Sequence, residues 1–85
     1  MGVRLDDIPR SIPVDLIKVD VEGMELSVLL GAIKTIEADK PIIVCETTST
    51  THASVQDMLS KLHYKEVKRF SMYKDIYTSV FCPKI

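Results

Sequence analysis

The chain has 85 residues and a mass of 9.6 kDa, so it forms at most one small domain. Its 11 Lys and Arg residues face 12 Asp and Glu residues, and the net charge of -1 argues against nucleic acid as a partner. No apolar run approaches the ~20 residues of a membrane-spanning helix, and nothing resembles a secretory leader. Cys45 and Cys82 are too few for a disulfide scaffold, so we expect reduced thiols and a cytoplasmic location.

The first main strand is predicted after a lead-in loop over residues 1–14. Residues 15–23 read DLIKVDVEG, a nearly continuous run of apolar and β-branched side chains that only Lys18 interrupts before the acids. Such a run is typical of a strand that is covered on both faces, as in a parallel sheet. Gly23 ends the strand.

One helix is predicted over residues 24–38, because leucines and isoleucines recur there at intervals of three and four. Glu22 and Glu25 lie near its start, where the helix dipole favours acids, so capping is the simplest role for both. Gly31 falls inside this helix and indicates a close approach of the helix to the sheet. The Lys-Pro pair at 40–41 stops it.

A second strand of the buried type is predicted over residues 42–45, and it ends at Glu46. Residues 47–51 then read as a polar loop. His52 follows near the same end of the strand, and two roles are open for it. A solvated side chain is the simpler interpretation, and a general base is the more specific one.

The remaining elements are a helix and a pair of strands. Ser54 is the predicted N-cap of the helix, with Asp57 three residues later as a weak capping box. Residues 64–70 and 76–81 read as strands, close enough in sequence for an antiparallel hairpin. The order is β-α-β-α-β-β, and the helix between the first two strands requires a right-handed parallel crossover.

The acids of the chain gather where the first two strands end. Asp20 and Glu22 follow the first strand and Glu46 follows the second. Neighbouring strands lie about 5 Å apart and ligands bind beyond the carboxyl ends of such strands, so these acids are expected at one edge. Lys18 faces the same side as Asp20 and is placed to neutralise it. Such carboxylates hold hydroxyls or accept protons; capping and solvation remain the simpler roles, and the spacing specifies no metal site.

The stretch from 14 to 32, VDLIKVDVEGMELSVLLGA, together with KPIIVCE at 40–46, resembles FkbM-type S-adenosylmethionine-dependent methyltransferases. The later Leu62-His63-Tyr64 is similar to a family segment that usually has Gly before the Tyr. The resemblance implies an α/β fold with a partial Rossmann-like methyltransferase sheet, whose first two strands are parallel and whose last two form an antiparallel hairpin. It implies a single partial domain over 1–85, with the half-sheet at 15–85.

The resemblance also implies a function and a site. S-adenosyl-L-methionine is the implied cofactor, Asp20 its binding residue, and Glu22 and Glu46 the catalytic residues that orient the hydroxyl of a small-molecule acceptor. The family's glycine-rich cofactor loop belongs to an amino-terminal half that this chain lacks, so weak or absent activity is expected from the chain alone. A non-enzymatic module that oligomerises is the alternative.

An exposed strand edge is the expected route to a partner. In the implied fold the first strand is central, so without the other half its edge from Leu16 to Val21 is unpaired. A long apolar edge is an association site. We therefore expect either a homo-oligomer or pairing with the missing amino-terminal half through this edge, and no nucleic acid or membrane partner.

Overall fold

The computed structural model describes residue 6, residues 13–19 and residues 25–84. Most of the predicted lead-in loop, and the predicted strand after Val19, lie outside the described residues. The elements in chain order are β1 (Leu16–Val19), α1 (Glu25–Leu30), α2 (Ile33–Asp39), β2 (Ile42–Thr48), α3 (His52–Lys61), β3 (Tyr64–Tyr73) and β4 (Ile76–Pro83). No helix among the described residues is long and apolar enough to cross a membrane.

The strands form one mixed sheet in the order β1-β2-β4-β3. β1 runs parallel to β2, with Leu16 opposite Ile42 and Val19 opposite Cys45. β4 runs antiparallel to both β2 and β3. The predicted α/β class, the parallel first pair and the C-terminal hairpin are confirmed. The position of β4, which inserts between β2 and β3, comes from the tertiary structure alone.

All the helices in the described part of the chain pack on one face of the sheet. Alternate residues of β1 and β2, such as Ile17 and Ile43, are buried there. The residues between them, including Leu16 and Ile42, are exposed on the opposite side, which we call the open face. The prediction that the first strand is covered on both faces is therefore wrong for this chain, because no described element packs on the open face.

The hydrophobic core lies between the sheet and the helices. Each fully buried apolar side chain contributes about 1.5–3 kcal/mol. Partly buried side chains of Val14, Met58 and Leu62 extend this core. Its members are Ile17, Val19, Leu29, Ala32, Ile36, Ile43, Cys45, Val55, Leu59, Tyr64 and Phe81.

The single helix predicted over residues 24–38 is observed as two helices, α1 and α2, because helical structure is interrupted at Gly31 and Ala32. The Gly31 carbonyl accepts a hydrogen bond from the Asp6 backbone N–H (3.0 Å). The Asp6 carboxylate then accepts from the backbone N–H groups of Lys34 (3.1 Å) and Thr35 (2.8 Å) and from the Thr35 hydroxyl (2.8 Å). These are the unpaired donors of a helix N-terminus, so Asp6 caps α2 from far away in sequence.

The junction of β2 and α3 also differs from the prediction. β2 continues through Glu46 to Thr48, because its last residues pair with the start of β4. α3 begins at His52, after an N-cap at Thr51. Ser54 therefore lies inside the helix, exposed, and is not its cap. The predicted stop of the earlier helix is confirmed, since α2 ends with Lys40 as its C-cap.

Among the described residues, three other than glycine have left-handed backbone conformations: Lys40 (φ 51°), His63 (φ 65°) and Asp75 (φ 61°). His63 follows the end of α3 and its N–H donates to the Ser60 carbonyl (3.0 Å), which closes the helix. The departure from glycine at this position leaves the turn intact. A residue with a Cβ atom raises the energy of that conformation.

We expect Asp6→Ala to lower the free energy of unfolding by about 1 kcal/mol, because α2 loses its N-terminal acceptor. Urea denaturation followed by circular dichroism measures this change. Asp57→Ala, on the exposed surface of α3, is the control and removes only a solvent-exposed ion pair with Lys61. Equal stability of Asp6→Ala and the wild type would contradict the cap.

We expect His63→Gly to raise the free energy of unfolding by about 1 kcal/mol, because glycine has no Cβ to disfavour the left-handed conformation. For a domain of this size the melting temperature rises by about 4–8 °C. The matched control is Ser54→Gly inside α3, which destabilises by about 0.5–1 kcal/mol. A His63→Gly variant that melts below the wild type would show that the side chain, and not the backbone, governs this position.

Candidate functional site

The carboxyl ends of β1 and β2 lie at the same edge of the sheet, because the two strands are parallel. Glu46 lies near this edge, inside β2 and not after it, and pairs in register with Thr78 of β4. Its neighbours Cys45 and Thr47 are buried under the helices, so the alternation of side chains directs Glu46 to the open face. Its side chain is half-buried there. Asp20 and Glu22 lie outside the described residues, so their expected roles stay predictions.

Glu25 is the buried acid of this region. It is the first residue of α1, as the sequence indicates, but only 2% of it is exposed. Among the residues that the structure describes, its Oε1 atom has no hydrogen-bond partner. Its place in the first turn of α1 agrees with the expected acid at a helix start, and its burial is the feature that the sequence did not indicate. It is an acceptor held out of water at the sheet edge.

The Cys45 thiol lies within the electrostatic influence of both acids. Burial is the main cause that raises its pKa to about 12, and the charges of Glu25 and Glu46 raise it further. The thiol is therefore protonated at neutral pH and is a poor nucleophile. The interpretation of Cys45 as a small buried hydrophobic residue is confirmed.

The most complete set of polar contacts lies beside this edge, under α3. We call it the buried polar network after its buried members, Thr47 and His52. It continues through the half-buried Glu66 to Gln56 and Arg69, which are exposed. Thr47 Oγ1 lies 2.8 Å from His52 Nδ1, and His52 Nε2 lies 3.4 Å from Glu66 Oε2. Arg69 donates two hydrogen bonds to the Glu66 carboxylate, at 3.0 and 2.8 Å, and Gln56 donates a third at 3.2 Å.

Two aromatic rings enclose the network on the sheet side. The His52 ring meets Tyr77 edge to face, with centroids 5.8 Å apart, and lies 6.4 Å from Phe81. The Arg69 guanidinium lies over the Tyr77 ring at 5.6 Å. The hydrogen bonds from Arg69 are the main cause that lowers the pKa of Glu66 to about 2, and the charge of His52 lowers it further. Glu66 is therefore ionised at neutral pH.

The hydroxyl, imidazole and carboxylate stand in the order that activates a nucleophile in many hydrolases. The burial of Thr47, of which 1% is exposed, prevents that use because no substrate atom reaches its hydroxyl. The contacts instead join the end of β2 to α3 and to β3. The buried polar network therefore stabilises the packing of α3 on the sheet beside the candidate site.

Sequence reasoning missed this network. His52 is 7% exposed and begins α3, so the description of a solvated side chain is wrong. The basic residues 65, 68 and 69 are exposed, in agreement with a solvated hairpin face, but Glu66 between them points inward. Alternation from the buried Tyr64 places Glu66, opposite the buried Phe81, on the helix side of the sheet. The register shift between Glu66 and Lys68 then places Arg69, opposite the buried Ser79, on the same side, and no pattern in the sequence indicates this shift.

Lys18 and a metal site are the two remaining candidates. Lys18 is exposed on the open face, opposite Val44 in register, where its amine meets water. Within the described ranges, no three His, Cys, Asp or Glu side chains lie close enough together to hold a metal ion.

A family model, the methyltransferase FkbM domain, matches residues 1–70. The chain belongs to this family. The match includes β1, β2, all the helices described above and most of β3. No curated protein and no solved structure matches the chain. The FkbM assignment confirms the resemblance drawn from the sequence and makes this a methyltransferase domain by family.

The buried polar network gives this FkbM domain a defined response to acid. The pKa of Glu66 is about 2 in the folded chain against an ordinary 4.5, so its ionised form stabilises the fold. That stabilisation is complete above about pH 4.5 and is lost as the pH falls towards 2. We expect Glu66→Gln to be less stable than the wild type at pH 6, with the gap closing towards pH 2.

Urea denaturation at intervals between pH 6 and pH 2 measures this gap. Glu37→Gln, on the exposed surface of α2, is the control, and we expect its stability to follow the wild type throughout. A gap between Glu66→Gln and the wild type that stays constant with pH would rule out the ionised Glu66 as its source.

Proposed function

We propose that this chain is the carboxyl-terminal half of an S-adenosylmethionine-dependent O-methyltransferase, with little or no activity alone. The observation that carries the proposal is the sheet of this FkbM domain, a parallel pair followed by an antiparallel pair, with the helices of the described residues all on one face. Such a sheet fits one half of a doubly wound fold, in which helices cover both faces.

The residues at the sheet edge fit the charge of the proposed cofactor. S-adenosylmethionine carries a positive sulfonium and an ammonium group, and its chemistry is to supply a methyl group. Glu46 offers a half-buried carboxylate at this edge, and Glu25 offers a buried acceptor without a partner among the described residues. The two acids lie on different sides of β2, Glu46 towards the open face and Glu25 in the helical layer. The charge of Glu46 and the hydrogen-bond capacity of Glu25 Oε1 each suit a cationic group.

Each candidate residue has a defined part in this proposal. Asp20, which directly follows β1 in sequence, would hold the cofactor beside its reactive end. Glu22 or Glu46 would accept a hydrogen bond from the acceptor hydroxyl and so orient its oxygen. A small molecule with a hydroxyl group is therefore the proposed acceptor.

The sequence also explains why activity alone is expected to be weak. Its glycines are at 2, 23 and 31, which does not make a glycine-rich loop of the kind that holds the cofactor in this family. The chain offers carboxylates for the cationic end of the cofactor and no such loop for the rest. We also propose a cytoplasmic location, which the free thiols of Cys45 and Cys82 support.

Titration of the 85-residue chain with S-adenosylmethionine, by calorimetry and thermal shift, tests the proposal. We expect saturable binding with a Kd above about 100 μM, which corresponds to less than about 5.5 kcal/mol. Asp20→Asn should weaken binding at least fivefold, because the carboxylate loses its charge. Asp57→Asn, on the exposed face of α3, is the matched control and should bind like the wild type.

Absence of both heat and thermal shift at millimolar cofactor would overturn cofactor binding by this chain. It would favour the second candidate function, a non-enzymatic module that uses the remnant fold for association. The open face is the observation that favours that second candidate. Binding that is equally weakened in both variants would point to general loss of negative charge and not to Asp20.

A further inference from the structure

The imidazole ring of His52 lies between two polar groups that differ in what they can offer. Its Nδ1 atom lies 2.8 Å from the Thr47 hydroxyl oxygen, and a hydroxyl can either donate or accept a hydrogen bond. Its Nε2 atom lies 3.4 Å from Glu66 Oε2, which can only accept because the carboxylate is ionised. A neutral imidazole carries its proton on one nitrogen, so these two contacts together determine which nitrogen that is.

The Glu66 carboxylate decides between the two tautomers. With the proton on Nδ1, the lone pair of Nε2 would face a negatively charged oxygen 3.4 Å away, and the two would repel each other. With the proton on Nε2, the positive N–H group of the ring faces that oxygen. Among the described residues Nε2 has no partner at hydrogen-bond geometry, so the contact with Glu66 is an electrostatic attraction. Nδ1 is then the acceptor, and the Thr47 hydroxyl donates to it.

Burial strengthens the preference for this tautomer. His52 is 7% exposed, and the rings of Tyr77 and Phe81 lie against it, so little water reaches the imidazole to screen the charge. Arg69 donates to both oxygens of the Glu66 carboxylate and holds it in place beside the ring. Fixed neighbours, and not solvent, therefore set the orientation of the ring and the position of its proton.

We propose that His52 is a positioning residue for Glu46, acting as the Nε2–H tautomer that holds the end of β2. In the described residues the pairing of β2 with β1 ends at Cys45, so the strand from Glu46 to Thr48 pairs with β4 alone. Thr47 follows Glu46 directly, and its bond to His52 on the helix side restrains the direction in which Glu46 leaves the opposite side. The inference rests on the proposed role of Glu46 and adds the residue that fixes its direction.

Long-range proton–nitrogen correlation spectra of the 85-residue chain at pH 8, where an imidazole is neutral, report the tautomer. We expect a protonated Nε2 and an unprotonated Nδ1 in His52. His63, exposed beyond the other end of α3, is the control in the same spectrum, and its two nitrogens should differ less in chemical shift because an exposed ring exchanges between tautomers. Glu66→Gln should reduce the difference in His52, because it removes the charge that orients the ring. A protonated Nδ1 in the wild type would overturn the assignment.

Hydrogen exchange of the backbone amides separates positioning from general stabilisation. Thr47→Val keeps the shape of the side chain and removes the hydroxyl that donates to His52. We expect exchange at the Glu46 amide to accelerate at least fivefold more than exchange at Ile43, near the start of the same strand, because only the end of β2 loosens. Circular dichroism checks that the variant folds.

Thr50→Val is the matched control. The exposed Thr50 hydroxyl lies 2.9 Å from the Thr48 hydroxyl, so this substitution removes a polar contact after the same strand without touching His52. It should leave exchange at Glu46 at the wild-type rate. Equal acceleration at Ile43 and Glu46 in Thr47→Val would overturn the positioning role, since it would show a general loss of stability. Both measurements omit S-adenosylmethionine, so a failure of cofactor binding overturns the proposed function and is distinct from either result.

Discussion

The parallel pairing of β1 with β2 is the constraint on which the other features depend. Parallel strands need a crossover that returns the chain to the same end of the sheet, and α1 and α2 form it here. The crossover fixes the side on which these helices lie, and α3 joins them there. It also brings the carboxyl ends of both strands to one edge, where Glu46 and Glu25 lie, and leaves the open face without cover in the described chain.

Two polar anchors hold the crossover and the following helix against the sheet. Asp6 caps α2 where helical structure is interrupted at Gly31, and Glu66 lies 3.4 Å from His52 at the start of α3. Both are carboxylates that join segments distant in sequence. Asp6 accepts hydrogen bonds from the N-terminus of α2, and Glu66 accepts them from Gln56 of α3 and Arg69 of β3. A small domain buries little apolar surface, so such contacts contribute a large share of its stability.

Membership of the family and the architecture of the sheet give different information about function. Membership of the FkbM domain family assigns the chain to the methyltransferases, and the acids at the sheet edge offer charge of the sign that suits a sulfonium cofactor. The open face carries exposed apolar side chains, Leu16 and Ile42 among them. Glu46 lies on the same side of β2, two residues after Val44, so one of the candidate site residues shares this face.

The sequence determined the elements that depend on neighbouring residues or on an unbroken pattern along the chain. The apolar run before Glu46, the helical spacing of leucines, and the Lys40-Pro41 stop predicted strand, helix and helix end. The motif around Glu22 and Glu25 identified the family. The parallel and antiparallel pairings followed because short connections and helical crossovers each permit one direction.

The tertiary structure alone decided what depends on contacts between distant residues. His52 is buried because α3 packs over Tyr77 and Phe81, and Arg69 reaches Glu66 because a register shift in β3 places both on the same side of the sheet. The helix predicted over residues 24–38 is two helices in the structure. The Asp6 carboxylate accepts hydrogen bonds from backbone N–H groups at the N-terminus of the second one, α2. Whether a strand is covered on one face or two depends on which elements reach it. An apolar run in one strand carries the same pattern in either case, so its exposure is decided only when the layers assemble.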